Sequence, residues 1–279
     1  RLVTQADVYS RLAAHLAAGE RPPYDFVVVD EAQDVSVAQL RFVAALGGGR
    51  PDVLFFAGDL GQRIFQLPFS WRSLGVDIRG RSGTLRINYR TSHQIRAQAD
   101  RLLGKHVSDV DGNMEERGGT ISVFNGPDPL LRVLDTPEEE SAVVGRWLAD
   151  RVAEGVTPGE MSVFVRSPLE LPRARAAVET ARLPIALLDD DGKLARDRVA
   201  VGTMHLSKGL EFRAVAVMAC DDEVVPLPAR IEAVTDEGDL EEVYDTERHL
   251  LYVACTRARD HLLVTGVNPA SEFLQDLRG

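Results

Sequence analysis

Phe26-Val27-Val28-Val29-Asp30-Glu31-Ala32-Gln33-Asp34 joins an apolar run rich in β-branched residues to three carboxylates. A continuous run of this kind is the pattern of a strand buried on both faces of a parallel sheet. Ser36 can cap the helix that follows, to about Leu46, and Gly47-Gly48-Gly49 closes it. Val53 to Ala57 is a second buried strand, running into Gly58-Asp59. The order is β-α-β with carboxylates at the strand ends, and open α/β sheets bind ligands outside the carboxyl ends of their strands.

The pattern extends in both directions. Upstream, Val8, Leu12 and Leu16 recur at helical spacing between Thr4, a cap, and Gly19, a stop. Downstream, residues 66–84 read as a loop, then a third strand at Leu85 to Ile87 leads into Asn88-Tyr89-Arg90 and a helix from Ser92 to about Leu103. Residues 104–119 are polar and glycine-rich, an internal boundary. Further strands are expected at Ile121 to Phe124, Met161 to Val165, Ile185 to Leu188, Val199 to Thr203, Val215 to Met218 and His261 to Thr265. Helices alternate with them: one behind a Thr136/Glu139 capping box, one over about 168–181, and one from about Leu240 to Thr256. Such alternation predicts an α/β fold with mainly parallel sheets, in two domains.

Composition narrows the function. With 279 residues, 44% apolar and 27% charged, the chain is globular rather than disordered. No apolar run approaches the ~20 residues that span a bilayer, and no signal peptide is evident, so a soluble, cytoplasmic protein with no membrane partner is expected. The two cysteines, Cys220 and Cys255, form no CxxC pair and encode neither a disulfide framework nor a zinc site. The net charge of −11 argues against nucleic-acid binding through a basic coat. Among the 32 basic residues only Lys105, Lys193 and Lys208 are lysines. Arginine suits bidentate phosphate contact, although such an excess also follows from genome composition. The chain starts at Arg1 without a methionine, which suggests a fragment.

Five segments carry chemistry. Asp30 and Glu31 at a strand tip can hold Mg²⁺ and accept a proton from an attacking water, as in a P-loop NTPase, or simply cap the next helix. In Gly58-Asp59-Leu60-Gly61-Gln62-Arg63-Ile64-Phe65, Gln62 can sense a γ-phosphate and Phe65 can stack on a base, against a plain Gly-Asp turn with Phe65 in the core. Arg90 follows the third strand, and Arg257 ends a helix in Tyr252-Val253-Ala254-Cys255-Thr256-Arg257. Both are surface arginines unless a nucleotide faces them. Gly202-Thr203-Met204-His205-Leu206-Ser207-Lys208-Gly209-Leu210-Glu211-Phe212 places hydroxyl, imidazole, lysine and carboxylate in one loop, suited to backbone phosphates and a ribose hydroxyl.

In this order, DEAQD, GDLGQRIF, INYRTS, VGTMHLSKGLEF and YVACTRARD resemble motifs II to VI of the UvrD/Rep-type superfamily-one DNA helicases. The resemblance spans nearly the whole chain. It implies two RecA-like parallel-sheet domains, the first incomplete: residues 1–80 as the C-terminal part of domain 1A and 81–279 as domain 2A. It also implies ATP and Mg²⁺ as cofactors and single-stranded DNA as partner. Residue by residue, it makes Asp30 the Mg²⁺ ligand, Glu31 the catalytic base, Gln62 the γ-phosphate sensor, Arg90 and Arg257 the arginine pair at the γ-phosphate, and Glu211 the ribose contact. Thr203, His205, Phe65 and Trp71 become the DNA surface.

The chain departs from that pattern in three ways. No G-x-x-x-x-G-K-[ST] phosphate loop is present, so part of domain 1A upstream of Arg1 is expected to be missing and the chain alone to be inactive. Only a hairpin-sized link, 189–198, stands where the family inserts subdomain 2B, which is expected to be absent. Arg63 and Phe65 replace the usual serine and tyrosine, and extra residues precede Trp71. The expected function is the motor portion of an ATP-dependent 3′→5′ DNA helicase or translocase. The alternative is a non-catalytic helicase-fold subunit that binds DNA or a partner.

Overall fold

Thr4 opens the first helix, α1 (Gln5–Ala17), with a capping box: its hydroxyl accepts from the Asp7 N–H, and the Asp7 carboxylate accepts from the Thr4 N–H. The structure, a computed structural model, describes residues 2–19, 22–64, 69–103, 106–108, 111, 114–116, 119–189 and 196–278. It divides into two compact units, Arg1–Leu85 with His106–Glu116, and Arg86–Lys105 with Arg117–Gly279.

In the first unit, β1 (Val27–Val29) and β2 (Leu54–Phe56) are parallel neighbours, with Val27 opposite Leu54 and Val29 opposite Phe56. Between them runs α2 (Val37–Gly47), opened by a Ser36/Gln39 capping box and closed at Gly48, whose φ of 57° is left-handed. Leu40, Val43 and Leu46 are its buried face. Tyr9 of α1 meets Phe42 of α2 with ring centroids 5.6 Å apart.

The expectation that these strands are buried on both faces is corrected here. Val28 is 71% exposed and Phe55, opposite it, 63%. The cause is that β1 and β2 make a two-stranded sheet, and the face they share is uncovered.

The second unit begins with β3 (Ile87–Asn88) and α3 (His93–Ala99). The next two strands, β4 (His106–Ser108) and β5 (Met114–Glu116), form an antiparallel pair that belongs to the first unit, inside the stretch read as a boundary. β6 (Ile121–Ser122) pairs in parallel with β3. Then follow β7 (Leu130–Leu134), α4 (Pro137–Ala153), β8 (Met161–Val165), α5 (Leu171–Thr180), β9 (Ile185–Leu187), β10 (Val199–Thr203), β11 (Phe212–Val217), α6 (Pro228–Glu232), α7 (Glu237–Thr256), β12 (Ala258–Val267) and α8 (Phe273–Arg278).

Six of these strands form one parallel sheet in the order β7-β12-β11-β8-β10-β9. β8 and β10 are buried at every position, as continuous apolar strands flanked by other strands must be. Val163, Val165, Val199, Val201, Ala214 and Ala216 pack against Val144, Trp147 and Leu148 of α4 and Ala174 and Val178 of α5. Each large apolar side chain so buried contributes about 1.5–3 kcal/mol. The α/β class with parallel sheets is therefore observed. β9 and β10 are parallel, so the 189–198 link, although hairpin-sized, is a return connection. Residues 190–195 lie outside the described residues. Among the described residues, no helix is long and apolar enough to cross a membrane.

Candidate functional site

In the first unit the tips of β1 and β2 are stitched together. The Ala57 N–H donates to Val29 O at 2.8 Å and the Ala32 N–H to Ala57 O at 2.9 Å. Glu31 lies between them with φ 50°, a left-handed backbone that costs a residue with a Cβ of order 1–3 kcal/mol. Asp30 Oδ1 accepts from the Glu31 N–H at 2.9 Å, which holds that turn. Gln33, buried, donates through Nε2 to Glu31 Oε2 at 2.6 Å and accepts at Oε1 from the Asp59 N–H at 3.1 Å. Asp59 continues the chain: Oδ1 accepts from the Gly61 N–H at 2.8 Å and Oδ2 from Gln62 Nε2 at 2.9 Å. Glu31, Gln33, Asp59 and Gln62 thus form one hydrogen-bonded relay across two strand tips. A Cβ at position 58 would meet Gln33 Oε1, so a larger residue there would displace the Gln33 amide from the relay.

The sequence reading selects Glu31 and Gln62 and misses the two residues that join them, Gln33 and Asp59. Their signal was positional: an amide set between two acids, and an acid after a glycine at a strand tip. Asp30 is exposed at the tip beside Glu31. One or two carboxylates with room for phosphate oxygens and water is the donor set that suits Mg²⁺ held with a nucleotide, which does not need an all-protein cage. Among the described residues, no cluster of three or more histidine, cysteine or acidic side chains could hold a metal by itself.

In the second unit the structure brings together Arg90, Glu211 and Arg257. Arg90 Nε lies 3.3 Å from Glu211 Oε2. Arg257 caps the C-terminal end of α7, is 5% exposed, and donates to Val253 O at 3.0 Å and Leu210 O at 3.4 Å. The segments are also tied through the backbone: Phe212 N–H to Arg257 O at 3.0 Å, Ser92 N–H to Arg259 O at 3.0 Å, and Thr91 Oγ1 to Thr256 O at 3.4 Å. Asn88 Oδ1 accepts from the Arg90 N–H at 2.9 Å and shapes the turn that presents that arginine.

Thr203 ends β10 and is buried, and His205 follows in a 3-10 turn, half-buried. Burial pushes the His205 pKa below its ordinary value, and Arg166 adds to the effect. Arg166 forms a buried bidentate pair with Glu247 of α7, at 2.6 Å from Nε and 2.5 Å from Nη2. Arg230 joins from α6 at 3.1 Å. This node also escapes the sequence reading, since Arg166 and Glu247 are 81 residues apart. Trp71, in the first unit, stands edge-on to Phe56 with ring centroids 4.9 Å apart and is half-buried. Phe65 lies outside the described residues.

Residues 1–73 match the family model of the UvrD/REP helicase N-terminal domain, and residues 182–268 that of the UvrD-like helicase C-terminal domain. Together the matches account for more than half of the chain. A "Probable DNA helicase" of Mycoplasma pneumoniae is 25% identical over 255 residues, which cover 88% of this chain and 44% of that protein. DNA helicase IV of Escherichia coli is 24% identical, covering 92% of this chain and 36% of its own length. The chain therefore spans less than half the length of these curated relatives. A crystal structure titled as the C-terminal domain of a possible DNA helicase from Lactobacillus plantarum is 24% identical with a TM-score of 0.47, covering 68% of this chain and 94% of the other. With five motifs in order, parallel sheets in both units and family matches at both ends, the chain belongs to the UvrD/Rep-type helicase family.

Proposed function

We propose that this chain is the motor portion of an ATP-dependent, cytoplasmic 3′→5′ DNA helicase or translocase that couples ATP hydrolysis to movement on single-stranded DNA. The observation that carries the proposal is the relay Glu31–Gln33–Asp59–Gln62, which links the expected base to the expected γ-phosphate sensor. Bound Mg²⁺, held by Asp30, would neutralise charge on the phosphates. Glu31 accepts a proton from the attacking water, and its carboxylate is oriented by Gln33. Gln62, turned by Asp59, reads whether a terminal phosphate is present. Arg90, exposed, and Arg257, once its guanidinium turns from Val253 O and Leu210 O, supply positive charge to the transition state, a role worth about 10³–10⁵ in rate. Glu211 takes the ribose, and Thr203, His205, Phe65 and Trp71 contact the DNA strand.

The same proposal makes residues 1–80 part of domain 1A and 81–279 domain 2A without a 2B insertion. Upstream residues carrying a phosphate loop would then cover the exposed face at Val28 and Phe55, and the chain without them would not turn over ATP. In the longer protein, Glu31→Gln is expected to lower DNA-stimulated ATPase by about 10²–10⁴ while ATP binding persists. Unaltered turnover would defeat the assignment, and ATPase by this chain at the longer protein's rate would defeat the need for upstream residues.

A further inference from the structure

Two residues that the proposed function sends to opposite ends of a nucleotide are paired with each other. Arg90 Nε lies 3.3 Å from Glu211 Oε2, with 72% and 47% of the side chains exposed. Their backbones are set independently. Arg90 sits in the turn that Asn88 Oδ1 shapes through the Arg90 and Thr91 N–H groups. Glu211 sits between Gly209, at φ 75°, and the Phe212 N–H that donates to Arg257 O. Nothing local forces the two side chains together, so their meeting reflects charge.

We propose that Arg90 and Glu211 form an exchangeable ion pair that couples recognition of the terminal phosphate to recognition of the ribose. The guanidinium fork fits a carboxylate or a phosphate, but engages only one of them fully at a time. A triphosphate draws Arg90 from Glu211, and the released carboxylate then accepts from a ribose hydroxyl. A diphosphate leaves Arg90 where it is, and the ribose must compete with it. The strength of the pair suits exchange. An ion pair this exposed biases its partners by no more than about fivefold and weakens with salt, whereas a buried bidentate pair such as Arg166–Glu247 would lock. The inference rests on the proposed reading of both residues as nucleotide contacts.

Inorganic tripolyphosphate, which has no ribose, isolates the exchange. In the full-length protein, Glu211→Gln is expected to raise tripolyphosphate affinity about two- to fivefold. The gain should vanish in an Arg90→Ala background and shrink between low and high salt. For ATP the same substitution should bring a smaller gain or a loss, because the ribose contact goes too. A merely structural Glu211 would lower affinity for both ligands, in either background. Unchanged or weaker tripolyphosphate binding by the Glu211→Gln protein, with ATP still bound by the wild type, overturns the exchange alone. Failure of the wild type to bind either ligand overturns the nucleotide-site reading and the exchange with it. Both side chains are exposed, so neither substitution empties a core position, and matching thermal melts would verify the fold.

Discussion

Glu31 holds an uncommon backbone because its neighbours compensate: Asp30 Oδ1 accepts its N–H, and Gln33 Nε2 donates to its carboxylate. Strain of this kind concentrates where a side chain must be aimed. Gln33 is the residue on which the aim depends, since its amide bonds Glu31 at one end and the Asp59 N–H at the other. Gln33→Leu keeps the volume and removes both bonds. In the longer protein it is expected to lower kcat about tenfold or more with little change in nucleotide affinity. Steady-state ATPase alongside equilibrium ATP binding separates the two, and a wild-type kcat would show that Glu31 needs no such partner.

At the scale of elements, Arg166 at the end of β8 is joined to Glu247 in the middle of α7, and Arg230 of α6 closes the group. Arg166→Met leaves Glu247 buried with the Leu227 N–H and the partly exposed Arg230 as its remaining partners. It should destabilise the second unit by about 3–5 kcal/mol, and a further Glu247→Leu should recover most of that loss. Urea unfolding of the single and double variants tests this, and equal losses in both would refute it. What the sequence reveals about elements follows the range of the forces that make them. The Thr4 and Ser36 capping boxes and the apolar runs of β8 and β10 are local and were legible. At Thr136 the box was half right: its hydroxyl accepts from the Glu139 N–H, but the Glu139 carboxylate reaches back to the Asp135 N–H. β7 was illegible because Leu130-Leu131-Arg132-Val133-Leu134 has neither strand nor helix periodicity, and it is a strand by pairing with β12. The β4–β5 pair was illegible for a like reason, since His106-Val107-Ser108 and Met114-Glu115-Glu116 are too short and polar to show alternation and become strands by pairing with each other. In the candidate site the acids and arginines were legible as residue types at strand and helix ends. Their partners were not, because Gln33–Asp59 and Arg90–Glu211 meet only in three dimensions.

At the scale of the whole molecule, two surfaces of the energy balance respond to solvent. Burial lowers the pKa of His205 and of His261 from the ordinary value of 6.5. Between that value and the lowered ones the unfolded chain binds more protons, so this stability is full above the ordinary value and falls as the pH drops through it towards the lowered ones. The carboxylates held low by partners, such as Glu160 by the Thr157 N–H, add their losses only at lower pH. Urea midpoints between about pH 8 and pH 5.5 should decline for the chain, and less steeply for His205→Gln; a flat profile would contradict an imidazole whose pKa partial burial lowers. The second surface is the apolar face of β1 and β2, where Phe26, Val28 and Phe55 are exposed by 73%, 71% and 63%. Contiguous exposed apolar strand surface favours association. If upstream residues cover that face in the longer protein, Phe55→Thr has opposite consequences in the two contexts. In this chain it should raise the monomer fraction in light scattering with no loss in thermal stability. In the longer protein it should cost about 1–3 kcal/mol, the transfer energy of an aromatic ring removed from a filled interface. An equal response in both contexts would show that nothing upstream packs on the β1–β2 face.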